Sequence, residues 1–192
     1  MSIHALAIHP APPDWIPDST LESFLREAGF LGDEFDLYGS RCFRPGARFF
    51  EHIIFDSSHS VVELTPTESG ILESEPRDSR NVCQIKLESA ESTDFLCGCN
   101  MRDPKCPACS RSITAWPEML GKWLTEHRDW SCPACGHSCK ACDVNWQHVA
   151  GAARYMITVR QIYEGEARPA DSFLRCLSQQ TSCAWRYFWY HL

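Results

Sequence analysis

The chain has 192 residues, a formal charge of −7, 44% hydrophobic and 11% aromatic residues, and 12 cysteines. That length suits one sizeable domain, or one domain with a small module, and the composition is that of a globular chain and excludes a disordered one. No apolar run approaches the roughly 20 residues of a membrane span, and the first nine residues lack the cationic start and apolar stretch of a signal peptide, so a cytoplasmic protein with no membrane partner is expected. A net negative surface repels phosphate backbones and draws cations, which disfavours a nucleic-acid partner and favours a basic protein partner.

In chain order, residues 2–9 read as a first strand ending at Pro10, and Pro12, Pro13 and Pro17 make an extended connection. Asp18 or Ser19 is expected to cap a helix, and Ser19-Thr-Leu-Glu22 has capping-box spacing. Leu21, Phe24, Leu25 and Ala28 share one face, so a helix is predicted to about Ala28, with Gly29 as its stop. Residues 30–46 are turn-rich. Residues 47–55 read as a strand and 60–65 as another, joined by a tight hairpin at 56–59. Residues 66–80, rich in Ser, Glu and Pro, read as an acidic loop; strand alternation resumes over 81–88, and 88–94 is again polar and acidic. The acidic stretch places Glu63, Glu68, Glu73, Glu75 and Asp78 as candidate contacts for a basic partner.

Beyond the cysteine-rich stretch, Asp143 is expected to cap a short helix carrying Trp146, Val149 and Ala150. Tyr155–Tyr163 is a strand rich in β-branched residues, and 164–169 a turn. Asp171 or Ser172 opens a helix with Phe173, Leu174 and Leu177 inward, and Trp185–His191 closes the chain as an aromatic strand. Aromatic side chains on both faces of that strand leave two readings: burial on both sides, or Trp185 and Trp189 as anchors for a partner. Ile16-Pro-Asp-Ser-Thr-Leu and Arg168-Pro-Ala-Asp-Ser-Phe-Leu each follow a strand and open a helix. Strand–helix–strand at both ends predicts an α+β fold, a split βαβ arrangement that resembles a ferredoxin-like sandwich. It is interrupted by the cysteine-rich module, giving segments 1–94, 95–143 and 144–192.

Eight cysteines fall in four close pairs: Cys97/Cys99, Cys106/Cys109, Cys132/Cys135 and Cys139/Cys142. Clustered pairs fit a shared metal in a reducing compartment better than long-range disulfides. Two pairs spell the same tetrapeptide, Cys-Pro-Ala-Cys, in which a turn aims two thiolates at one point. Cys106, Cys109, Cys132 and Cys135 are the best four-ligand set. The form C-P-x-C, 22 residues, C-P-x-C-G resembles a zinc ribbon or rubredoxin-type pair of knuckles over residues 106–136. That resemblance implies one Zn²⁺ held by four thiolates, a closed site of structural type, with iron as the alternative ion. Cys97, Cys99, Cys139 and Cys142 offer a second site, and His137 a replacement for one sulfur. Between the knuckles, Trp116, Met119, Leu120, Trp123 and Leu124 trace a helical stripe with Pro117 near its start, read as a miniature core.

Catalytic signatures are missing. There is no H-E-x-x-H, P-loop or G-x-S-x-G, and no H-x-E precedes the Cys-x-x-Cys pairs as a nucleobase deaminase requires. His4, His9, His52, His59, His127, His148 and His191 show no ligand spacing with carboxylates, so no catalytic residue is assigned. The expectation is a non-enzymatic zinc protein acting through protein–protein interaction, in one version an immunity- or antitoxin-like protein that covers a basic partner. The alternatives are a zinc-stabilised enzyme and a nucleic-acid-associated zinc ribbon.

Overall fold

Strand alternation sorts the side chains into two layers. In β1 (His4–Pro10), Leu6 and Ile8 face one way and Ala5, Ala7 and His9 the other, and all five are buried. β10 (Trp185–His191) runs antiparallel beside it, from His4 opposite His191 to Pro10 opposite Trp185. On the other side of β1 lies β8 (Ala150–Arg160), which pairs in turn with β5 (Gln84–Cys97). The hairpin of β2 (Leu31–Leu37) and β3 (Ser40–Pro45) extends the far edge. The sheet order is β10-β1-β8-β5-β3-β2, antiparallel at every pairing. The structure, a computed structural model, describes residues 3–56 and 83–192.

Two helices close one face of this mixed α/β arrangement. Leu21 and Leu25 of α1 (Thr20–Glu27) and Phe173 and Leu177 of α4 (Asp171–Thr181) pack on Leu6, Ile8, Ile85, Ile157 and Val159. Phe173 stacks on Phe30 with 4.7 Å between ring centres, and the His52 ring lies 4.6 Å away. The opposite face of the sheet buries Ala5, Ala7, Met156, Phe188 and Tyr190. Burial on both faces is therefore how β10 spends its aromatic residues. Trp185 sits in the main core and donates its indole N–H to Thr181 Oγ1, and half-buried Trp189 donates to the Ala167 carbonyl. Arg41 bridges Glu22 and Glu34, each at 2.7 Å, fastening α1 to the β2–β3 hairpin; these groups are exposed, so the pairs contribute little stability.

Several local expectations are corrected. Of the two expected caps, Asp18 is the one that serves, accepting from the Thr20 N–H at 2.9 Å, while Ser19 makes no side-chain cap. The turn-rich stretch 30–46 contains the β2–β3 hairpin, turning through Tyr38 and Gly39, both at positive φ as a two-residue type I′ loop requires. Asp33, Glu34 and Asp36 hide that strand's alternation because its outer face meets water. Residues 47–55 are not one strand: α2 (Phe49–His52) precedes the short β4 (Ile53–Phe55), and buried Phe49 and Ile53 have helical spacing. β4 pairs with β9 (Ala167–Pro169). β5 runs on through the acidic stretch 88–94 to Cys97, because its backbone pairs with β8 even where its side chains are polar; the register shifts between Ser89 and Asp94. Asp143 opens no helix. It ends a single 3-10 turn at Ala141–Asp143, after which the chain is extended. The expected hairpin at 56–59 with its following strand, the acidic loop, and Glu63, Glu68, Glu73, Glu75 and Asp78 lie outside the described residues, Asp56 aside.

His9 gives the fold an acid-sensitive point. Burial drives its pKa from 6.5 down to about 4. Below pH 6.5 the unfolded chain takes up a proton that folded His9 refuses until about pH 4. Its neutral state is therefore free of cost above that window, and about 3 kcal/mol of stability is withdrawn as the pH falls through it. Urea unfolding of His9→Gln across the same window is expected to show a correspondingly shallower loss than the parent protein.

Candidate metal centre

Each Cys-Pro-Ala-Cys turn is closed by the same two backbone hydrogen bonds. In the first, the Ser110 N–H donates to the Cys106 carbonyl and the Cys106 N–H to the Arg111 carbonyl, each at 2.9 Å. In the second, the Gly136 N–H donates to the Cys132 carbonyl and the Cys132 N–H to the His137 carbonyl, each at 2.8 Å. Both fourth positions after the first cysteine are left-handed, Ser110 at φ 58° and Gly136 at φ 74°. Each knuckle stands on antiparallel pairing. Lys105 bridges Ser112 at the first, and β6 (Trp130–Ser131) pairs with β7 (Ser138–Cys139) beneath the second.

This local geometry converges the sulfurs. Cys106 Sγ lies 3.8 Å from Cys135 Sγ, Cys109 Sγ lies 3.8 Å from Cys132 Sγ, and all four fall within 4.8 Å of one another. A tetrahedron of sulfurs at the usual Zn–S distance has an edge of about 3.8 Å, so the donor set fits a tetrahedral ion in both type and size. The first cysteine of each turn is buried and the second exposed. Desolvation raises the Cys132 thiol, but N–H donors at Ala134 and Cys135, together with the neighbouring thiols, outweigh it and bring the pKa down to about 7. At Cys135 the N–H of His137 favours the thiolate, yet burial and the surrounding sulfurs leave its pKa raised to about 12. All four sulfurs become thiolates at such distances only with a cation among them.

Comparison with known protein families, with curated proteins and with solved structures finds no match to this chain. The centre is therefore interpreted from its own geometry.

A small core holds it. α3 (Trp116–Glu126) turns Met119, Leu120 and Trp123 onto Ile113, Val144 and Trp146, and Trp116 meets Trp146 edge-on at 5.8 Å. Of the helical stripe between the knuckles, Met119, Leu120 and Trp123 are core and Trp116 packs against them, while Leu124 is exposed. Trp146 donates its indole N–H to the Ala141 carbonyl at 2.8 Å and packs against Phe95 of β5. Reciprocal Lys105–Asn145 backbone hydrogen bonds of 2.8 and 3.0 Å tie the first knuckle to the chain entering β8.

Among the described residues, the four knuckle thiols are the single cysteine, histidine or carboxylate group that comes together as metal ligands. His137 serves through its backbone. Cys97, Cys139 and Cys142 pack as half-buried apolar groups against the small core, while Cys99 is exposed and donates its N–H to the His191 carbonyl. Burial raises the thiols of Cys97, Cys139 and Cys142, the last to about 11. What spacing does not reveal is the pairing beneath each knuckle, since no apolar alternation marks strands of two residues.

Proposed function

We propose that this chain is a zinc-binding protein that works by engaging a protein partner, and that Cys106, Cys109, Cys132 and Cys135 form a structural centre of zinc-ribbon type. The observation that carries the metal reading is the four-sulfur cluster, with two separations of 3.8 Å and all of them within 4.8 Å. Four thiolates complete zinc's preferred coordination and leave no position for substrate or water. The strand order β10-β1-β8-β5, with α1 and α4 on one face, supports a ferredoxin-like split βαβ frame into which this module is inserted. The charge of −7, made more negative by about 2 for a four-thiolate zinc centre, favours a basic partner over nucleic acid.

Metal analysis of the purified protein is expected to find one zinc per chain, and the cobalt-substituted protein to show tetrahedral four-thiolate absorption that added cyanide leaves unchanged. An iron-loaded protein, or a cobalt spectrum that shifts with cyanide, overturns the structural-zinc reading. For the partner, immobilised metal-loaded protein is expected to retain a basic polypeptide in stoichiometric amount and release it as salt rises. Retention of nucleic acid with a steep salt dependence overturns that part.

A further inference from the structure

A cleft of about 350 Å³ opens beside the metal module, between the residues that follow the second knuckle and the strands β1 and β10. That volume lies within the range of small-molecule sites. Asp143 and His148 reach it from the module side, Trp185, Arg186 and Tyr187 from β10, and His9 from β1.

His9 defines the chemistry. It is 6% exposed, and its Nδ1 lies 2.9 Å from the Pro10 carbonyl oxygen, which only accepts. Nδ1 therefore carries the proton and Nε2 is left as an acceptor. Among the described residues Nε2 has no hydrogen-bond partner, and His9 lines the cleft, where a donor can reach that acceptor. Gly151 makes room for the ring: a Cβ at that position would lie 2.9 Å from Nε2 and would overlap the Phe188 ring. His148 repeats the arrangement at the rim. Its Nδ1 lies 2.9 Å from the Tyr187 carbonyl oxygen, and its ring stacks on Tyr187 at 4.5 Å, leaving Nε2 outward. Left-handed backbone at Gln147 and His148 aims that ring. Two bonds brace the bend, Gln147 N–H to Asn145 Oδ1 at 2.9 Å and Gln147 Nε2–H to the Asp103 carbonyl at 2.7 Å. Asp143 adds a carboxylate, and the one cation present, Arg186, is drawn to it at 3.7 Å. The cleft thus offers acceptors and aromatic faces, in a chain whose net charge attracts cations.

We propose that this cleft binds a small planar aromatic amine or amidine, whose N–H groups donate to His9 Nε2 and His148 Nε2 and whose ring lies against the aromatic wall of β10. The proposal goes beyond the metal reading and does not depend on which ion the knuckles hold. The probe is para-aminobenzamidine, titrated by fluorescence into the full metal-loaded chain, with NMR of isotope-labelled histidines reporting the ring nitrogens. The expected result is saturable one-to-one binding that moves the Nε2 signals of His9 and His148 and leaves those of His52 and His127 in place. His148→Ala, an exposed rim change that leaves the core untouched, is expected to weaken binding about tenfold, the worth of one hydrogen bond. Lack of saturation at millimolar probe, or binding that leaves the His9 signal unmoved and is indifferent to His148→Ala, overturns it.

Discussion

Replacing Cys106 with serine is expected to release the metal and melt the module around it. Cys106 is the most buried of the four clustered cysteines, at 1% exposure, and its sulfur stands 3.8 Å from that of Cys135. A serine hydroxyl there is a poor zinc ligand beside three thiolates, and structural zinc of this type is worth on the order of 10 kcal/mol of folding free energy. The module has little to set against such a loss. Its own buried set is Ile113, Met119, Leu120, Trp123, Val144 and Trp146 with three alanines, too small a core to stand without its staple. Bound zinc per chain should fall to near zero, and tryptophan emission should move to the red, since Trp116, Trp123, Trp130 and Trp146 all belong to this region. Strand signal in the far-ultraviolet should persist, because the main sheet has its own core. Cys176→Ser, an exposed thiol on α4, should change none of these. A Cys106→Ser protein that keeps its zinc would show that the ligand set is wrong.

Phe173→Ala should act on the other half of the molecule and leave the metal in place. The ring is 1% exposed, stacked on Phe30 and flanked by His52, so truncation leaves a cavity that these two rigid rings do not readily fill. Loss of a buried phenylalanine costs about 3–5 kcal/mol, a large share of the roughly 5–15 kcal/mol that holds a domain folded. In urea the midpoint should drop sharply with an unchanged slope, while zinc content at low denaturant stays at the parent value. If both variants lose metal and sheet together, the two cores fold as one unit and are not separable.

The contrast between these variants follows what was legible in the sequence. The repeated Cys-Pro-Ala-Cys pointed to the four sulfurs that the fold brings together because the geometry of each knuckle is local: four residues and two backbone hydrogen bonds define it. β1, α1, α4 and β10 were readable for a similar reason, each carrying an unbroken period of apolar residues. The hairpin at 31–45 and the second half of β5 were not, because strands held by backbone pairing at the solvent side need no apolar alternation, and Asp33, Glu34, Glu88 and Glu91 mask them. Phe49, Phe50, Ile53, Ile54 and Phe55 misled in the opposite sense: a dense apolar run reads as a strand, yet a single helical turn opens it and buries Phe49 while Phe50 stays exposed. His9 and His148 lie 139 positions apart, and no spacing rule joins them. Their meeting depends on β1 lying beside β10 and on the bend at Gln147.

The cysteine-rich stretch leaves β5 at Cys97 and re-enters β8 at Ala150, and these two residues face each other across adjacent strands. Its two ends are therefore about 5 Å apart, the spacing of neighbours in an antiparallel ladder. In wiring terms residues 98–149 occupy the place of a hairpin turn, so their length can vary, or the entire stretch be exchanged for a short reverse turn, with no other strand asked to change its order. Gly98 is the hinge pin of that junction: any side chain there would strike the His191 backbone, so a transplanted cassette would need glycine at its entry.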